Sequence, residues 1–166
     1  HYQKTFPFLE RNHNIVLSSI FSAETLHLIE GLDTTQKDDT WLILNSPSWI
    51  KGVDEAVEYA ESRQLPYELV WGLDHHELLQ KLATSHGVIF FPRAGDTCPR
   101  MIIEAKLLDC ELVLNDNVQH KNEKWFEHKE TAFSYLKGRA EVFWAEIEKK
   151  AAPILNLPAP TLGDSD

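Results

Sequence analysis

The sequence is short of positive charge, of cysteine and of long apolar runs. Against 26 Asp and Glu it carries 16 Lys and Arg, a formal net charge of −10. That sign argues against sequence-independent binding to nucleic acid or to an anionic membrane surface. No apolar stretch approaches the ~20 residues that a spanning helix needs, and no signal peptide is visible. The 2 cysteines, Cys98 and Cys110, lack metal-ligand spacing and cannot build a disulfide framework. They read as free thiols, unbridged, in a reducing cytoplasm. With no DxD-type strand end and no His/Cys cluster, no bound metal is expected, and no internal repeat stands out. What remains is an ordinary globular composition, 43% hydrophobic and 25% charged over 166 residues, enough for one domain with a real core. The chain opens on His1 rather than Met, so it is expected to be a piece of something longer.

Strand-like and helix-like patterns alternate along most of the chain. Trp41–Asn45, Tyr67–Trp71, Val88–Phe91 and Glu111–Asn115 read as short strands. Val53, Ala56, Val57 and Ala60 mark one helix face. Asp74 and Glu77 form a capping box that opens a helix with Leu78, Leu79, Leu82 and Ala83 inward. A third helix runs from Pro99 to about Asp109, with proline at its first position, where no backbone N–H is needed. Such alternation marks βαβ units, hence an α/β, doubly wound, Rossmann-like parallel sheet with helices on both faces. Ahead of it lie a strand, Ile15–Ser19, a Ser22-capped helix to about Glu30, and a polar linker, Asp33–Asp39. Helices follow over Lys129–Lys137 and Arg139–Ala152, the second with Ala140, Phe143, Trp144 and Ile147 on one side. We divide the chain into 1–32, a remnant of a preceding domain or a linking strand and helix, then 40–152, the Rossmann-like domain, and 153–166, a loose tail.

In open α/β sheets, ligands bind beyond the carboxyl ends of the strands. The loops there are Ser46–Lys51, Gly72–Asp74, Pro92–Cys98 and Asn115–His120. In so acidic a chain, Lys51, Arg93 and Arg100 all fall in or beside them, where they can offset the charge of a diphosphate. The third loop is the most informative. Asp96 and Glu104 bracket its junction with a helix, with 7 residues between them. The first turn of that helix, around Thr97 and Cys98, offers free amides and the positive end of a helix dipole to an anion. An anion site beside two carboxylates points to a ligand with both phosphate and hydroxyls, such as a sugar nucleotide. Taken alone, the spacing is also met by a helix-capping Asp96 and a solvated Glu104.

The stretch Asp96 to Glu104, continuing Ile103-Glu104-Ala105-Lys106 into the strand Glu111–Asn115, resembles the acidic pair of the retaining GT-B glycosyltransferases of the broad group 1 family. Lys51-Gly52 after the first strand is similar to that family's Lys-Gly pair, and Gly72-Leu73-Asp74 to its loop before a Glu-Leu helix. The likeness runs from Ile15 to Trp125, in order, and implies that the chain is one half of a GT-B fold, the donor-binding domain. The first acid is Asp96 where the family has Glu, and the arginine usual a few residues before the lysine is missing from Asn45–Ser48.

The resemblance implies that Lys51 and Asp96 are the catalytic pair, on the donor diphosphate and the donor sugar. Glu104 would bind the ribose. Gly52, Gly72, Leu73, Arg93, Gly95, Thr97, Cys98 and Arg100 would complete the nucleotide site, and Asn115–His120 would line the donor pocket or an interdomain cleft. His75 and His76 read as exposed polar residues. The implied partners are a nucleoside diphosphate sugar as donor substrate, with no cofactor, and an N-terminal acceptor domain of the same chain. Without that domain the chain should transfer no sugar. A nucleotide-sugar epimerase half and a degenerate GT-B domain that binds a glycan or a protein are the other readings.

Overall fold

The computed structural model describes Phe8, residues 19–97 and residues 99–155, with side-chain surroundings through residue 152. Strands β1 (Trp41–Leu44), β2 (Tyr67–Val70), β3 (Gly87–Phe90) and β4 (Glu111–Leu114) form one sheet. Its order is β2-β1-β3-β4 and every pair is parallel, with Trp41 opposite both Tyr67 and Gly87, and Gly87 opposite Glu111. The helices are α1 (Ala23–Glu30), α2 (Val53–Ser62), α3 (His75–Thr84), α4 (Arg100–Leu107), α5 (Lys129–Lys137) and α6 (Arg139–Leu155). The chain steps outward from β1 to β2, then returns past β1 to β3 and on to β4. Direction in the sheet therefore reverses between β1 and β3.

The period-2 alternation of the strands sorts the core into two apolar clusters. Trp41, Ile43 and Ile89 point to one face, where Ala56 and Ala60 of α2 cover them. Leu42, Val88 and Phe90 point to the other, against Leu79 and Leu82 of α3 and Ile102 and Ile103 of α4. Fully burying one such Leu or Ile contributes about 1.5–3 kcal/mol. Small alanines on α2 let that helix lie close. On α3, Asp74 accepts from the Glu77 amide at 2.8 Å and the Glu77 carboxylate accepts from the Asp74 amide at 3.2 Å. This is the reciprocal cap that the sequence pattern predicts. Ser22 caps α1 through the Thr25 amide, 3.2 Å.

Several boundaries differ from expectation. Helix α4 begins at Arg100, and Pro99 stands outside it as the N-cap with extended ψ. Helix α6 continues to Leu155, past the Pro153 at which we placed a loose tail. The remainder of that tail lies outside the described residues, as does the strand expected at Ile15–Ser19 apart from Ser19. On the apolar side of α6, Trp144 and Ile147 are exposed. The linker is anchored. Lys37 Nζ donates to the carbonyls of Leu82, Ala83 and Ser85 at 3.0–3.2 Å, placing a cation at the negative end of α3. Among the described residues no helix is long and apolar enough to cross a membrane.

Candidate functional site

The reversal between β1 and β3 opens the sheet where Lys51 and Asp96 lie. Lys51 ends a 3₁₀ turn, Trp49–Lys51, that leaves β1. Its ammonium meets Asp96 Oδ2 at 2.6 Å and passes 5.7 Å from the centre of the Phe90 ring. Two local features aim it. The Arg93 amide donates to the Ile50 carbonyl at 2.8 Å, tying the turn after β1 to the loop after β3. Gly52, at φ 64°, then bends the chain into α2. A Cβ there would stand 1.8 Å from the Phe91 carbonyl oxygen. Only glycine satisfies both the left-handed conformation and that approach.

Asp96 is held as firmly from the other side. Its amide donates to the Asn117 carbonyl at 2.8 Å, and its carbonyl accepts from the Gln119 amide at 3.2 Å. This short parallel bridge to Val118 extends the β3–β4 pairing beyond the strands. Gly95 lies under the Gln119 side chain, where an added Cβ would meet the amide nitrogen at 2.7 Å. Thr97 is exposed, and Cys98 lies outside the described residues. Pro99, the residue at the N-cap, gives α4 no side-chain cap, and no other described residue is recorded as capping it.

Glu104, in the second turn of α4, is 1% exposed. Its Oε1 receives hydrogen bonds from both His75, at 2.8 Å, and Arg100, at 2.9 Å. The arginine lies back along its own helix and stacks over Phe21, 4.5 Å to the ring centre. The reading of Glu104 as a solvated helical residue is thus excluded. His75 remains partly exposed, as read, but the sequence reasoning missed its bond to Glu104. The signal was a lone acid amid Met101, Ile102, Ile103 and Ala105, which a buried helix face tolerates only with a partner. Among the described residues His76 pairs with Gln80 on its own helix, 3.0 Å.

Arg93 points elsewhere. It donates to Glu55 Oε1 at 2.5 Å and to Asp54 Oδ2 at 3.1 Å, both in the first turn of α2. That hydrogen bond holds the Glu55 carboxyl below the usual carboxylate range. Arg93 and Glu55 line a cavity of about 300 Å³ with Phe91, Pro92, Asn115 and Asn117. The two asparagine amides donate to the Pro92 carbonyl at 2.9 and 2.7 Å. A second cavity, of about 360 Å³, is apolar and is lined by Leu44, Val70, Trp71, Gly72, Leu73 and Leu78. It sits at the carboxyl ends of β1 and β2, beside the start of α3.

The structure therefore joins Lys51 to Asp96 and Arg100 to Glu104, seats Gly72 and Leu73 in an apolar cavity, and turns Arg93 toward α2. Among the described residues no hydrogen bond or ion pair links the Lys51 pair to the Glu104 group. Chemically, the carboxyl edge offers one buried and one half-buried acid able to accept from hydroxyls, one lysine, the start of α4 and an apolar slot. Among the described residues no three His, Cys, Asp or Glu side chains are grouped to hold a metal ion. Set against protein-family models, characterised proteins and solved structures, the chain matches no family, no protein and no structure.

Proposed function

We propose that this chain binds a nucleoside diphosphate sugar at the carboxyl edge of its sheet, as the donor half of a retaining glycosyltransferase with a doubly wound, GT-B-type domain. The observation that carries the reading is the pairing of Lys51 with Asp96 across the point where strand order reverses. In such sheets that crevice is where ligands sit. The apolar cavity at Gly72 and Leu73 suits a planar base. Glu104 suits a ribose, whose hydroxyls would take the place of the exposed His75 ring. The α4 amides and Lys51 would meet the diphosphate and stabilise the charge that builds there as the sugar departs. Asp96 would orient the sugar.

One observation favours a second reading, a domain that binds without catalysing. Each of the three cations at this edge already has an acidic partner: Lys51 with Asp96, Arg93 with Glu55 and Asp54, Arg100 with Glu104. Calorimetric titration with UDP, GDP and ADP, and with UDP-glucose, GDP-mannose and ADP-glucose, separates the possibilities. Binding of one nucleotide series supports the donor site. No binding at millimolar concentration removes it and leaves the second reading.

A further inference from the structure

We propose that the base of the bound nucleotide is adenine, selected by the apolar cavity between the ends of β1 and β2 and the start of α3. The inference rests on the donor-site reading above and names the nucleotide series that the site takes, ADP-sugars rather than UDP- or GDP-sugars.

The cavity holds about 360 Å³ and opens to solvent beside Trp71 and Leu73, which are 56% and 39% exposed. A ligand therefore has a path into it. Leu44, Val70 and Leu78 supply the other side chains of its lining, with Gly72 in the wall. None of these is charged, and the indole N–H of Trp71 is their one side-chain hydrogen-bonding group, a donor. The lining thus holds no side-chain acceptor. Its position suits a nucleotide as well. Just past Leu73 in the chain, the His75 ring reaches Glu104 at 2.8 Å. The loop that walls the cavity therefore leads straight to the carboxylate that the donor reading gives to the ribose.

Guanine and uracil each carry a ring N–H beside a carbonyl, and in this lining that donor meets no side-chain acceptor. A polar group buried without a partner weakens binding. Adenine has no carbonyl and no such ring N–H. Its one exocyclic amine can point to the open mouth, into water. What the cavity favours instead is apolar area and a stacking face, both larger in a two-ring base than in a pyrimidine. Adenine combines the two-ring area with the fewest donors to bury.

The test is calorimetric titration of the wild type and of Leu73→Asn with ADP, GDP and UDP. Wild type should bind ADP about tenfold tighter than UDP, and tighter than GDP. Leu73→Asn puts a donor and an acceptor at the exposed mouth. It should weaken ADP several-fold and narrow or remove its lead over UDP. Its thermal midpoint should stay near wild type, because Leu73 is a partly exposed loop residue. In wild type, NMR should show nuclear Overhauser contacts from the adenine ring protons to the Leu73 and Leu78 methyl groups. UDP or GDP binding as tightly as ADP would overturn the choice of adenine and leave the donor site standing. ADP binding without those contacts, or with an affinity that Leu73→Asn leaves unchanged, would overturn the cavity as its seat. If wild type binds none of the three at millimolar concentration, the donor-site reading itself fails and this inference falls with it.

Discussion

Removing the buried acid of the Glu104 group should disturb the fold less than removing its exposed partner. Glu104 has 2% of its side chain exposed, whereas Arg100 has 47% and His75 44%. In Arg100→Ala the carboxylate stays buried with His75 as its remaining side-chain partner, a loss of about 1–3 kcal/mol. Part of that is the lost stacking on Phe21. In Glu104→Met an apolar chain of similar length replaces the acid, and the arginine and histidine return to water at little cost. Such replacements are commonly neutral or stabilising, here by up to ~1 kcal/mol because both partners are already half solvated. The double variant separates the terms, since with no acid left to strand, Arg100→Ala should lose only its stacking. Urea unfolding followed by the fluorescence of the 5 tryptophans gives all four corners of the cycle. A coupling of about 1–2 kcal/mol is expected, with a thermal midpoint ~2–8 °C lower for Arg100→Ala. Nucleotide binding should go the other way, vanishing in the stable Glu104→Met. A coupling near zero, or a Glu104→Met variant less stable than wild type by more than about 2 kcal/mol, would refute the reasoning.

Gly52→Ala should destabilise by more than the ~1–2 kcal/mol of a left-handed alanine alone, because its Cβ also meets the Phe91 carbonyl oxygen at 1.8 Å; an unchanged urea midpoint would count against the turn described. Cys110 should resist iodoacetamide at pH 8 in the folded chain and react in urea, since burial pushes its thiol up to about 11; peptide mass spectrometry that finds equal rates in both states would disprove this. His120 titrates lower folded, at about 4, than unfolded, at ~6.5. Its contribution is therefore full above pH 6.5 and lost as pH falls toward 4, by roughly 3 kcal/mol at most. His120→Phe should flatten that part of the acid limb, and parallel stability curves for the two proteins would contradict it.

The sheet was legible because its signals are local. Short apolar runs, the Asp74/Glu77 box and the alanine spacing of α2 each depend on a few neighbouring residues. What is set by distant contacts was not legible. Proline stiffness alone put Pro99 in the first helical position, but where the β3 loop hands over to α4 is decided by the Asp96 bridge to Asn117 and Gln119, which no local pattern announces. Likewise a run of Ala140, Phe143, Trp144 and Ile147 has helical spacing whether or not anything covers it. The polar linker gave no hint that Lys37 would close the end of α3.

The site was half legible for the same reason. Topology placed Lys51 and Asp96 near one another, since both follow neighbouring strands at the carboxyl edge. The partners of Glu104 come from two helices, and only the folded chain brings His75 across to it. Charge pairing also behaves differently at the two sides of this edge. Arg93 meets acids that are 90% and 42% exposed, an ordinary surface pairing worth little either way. Lys51 and Arg100 meet acids only 13% and 2% exposed. Burying a carboxylate is costly even when it is paired, and an apolar side chain of the same size would stabilise a core at least as well. The rest of α4 follows that rule with Met101, Ile102, Ile103, Ala105 and Leu107. Stability therefore gives no reason for Glu104 to be an acid. Glu104 and His120, buried side chains of α4 and of the loop after β4, lie beside the β3 loop that carries the half-buried Asp96. That coincidence of position is why the carboxyl edge, and not either cavity alone, is the place to look for a ligand.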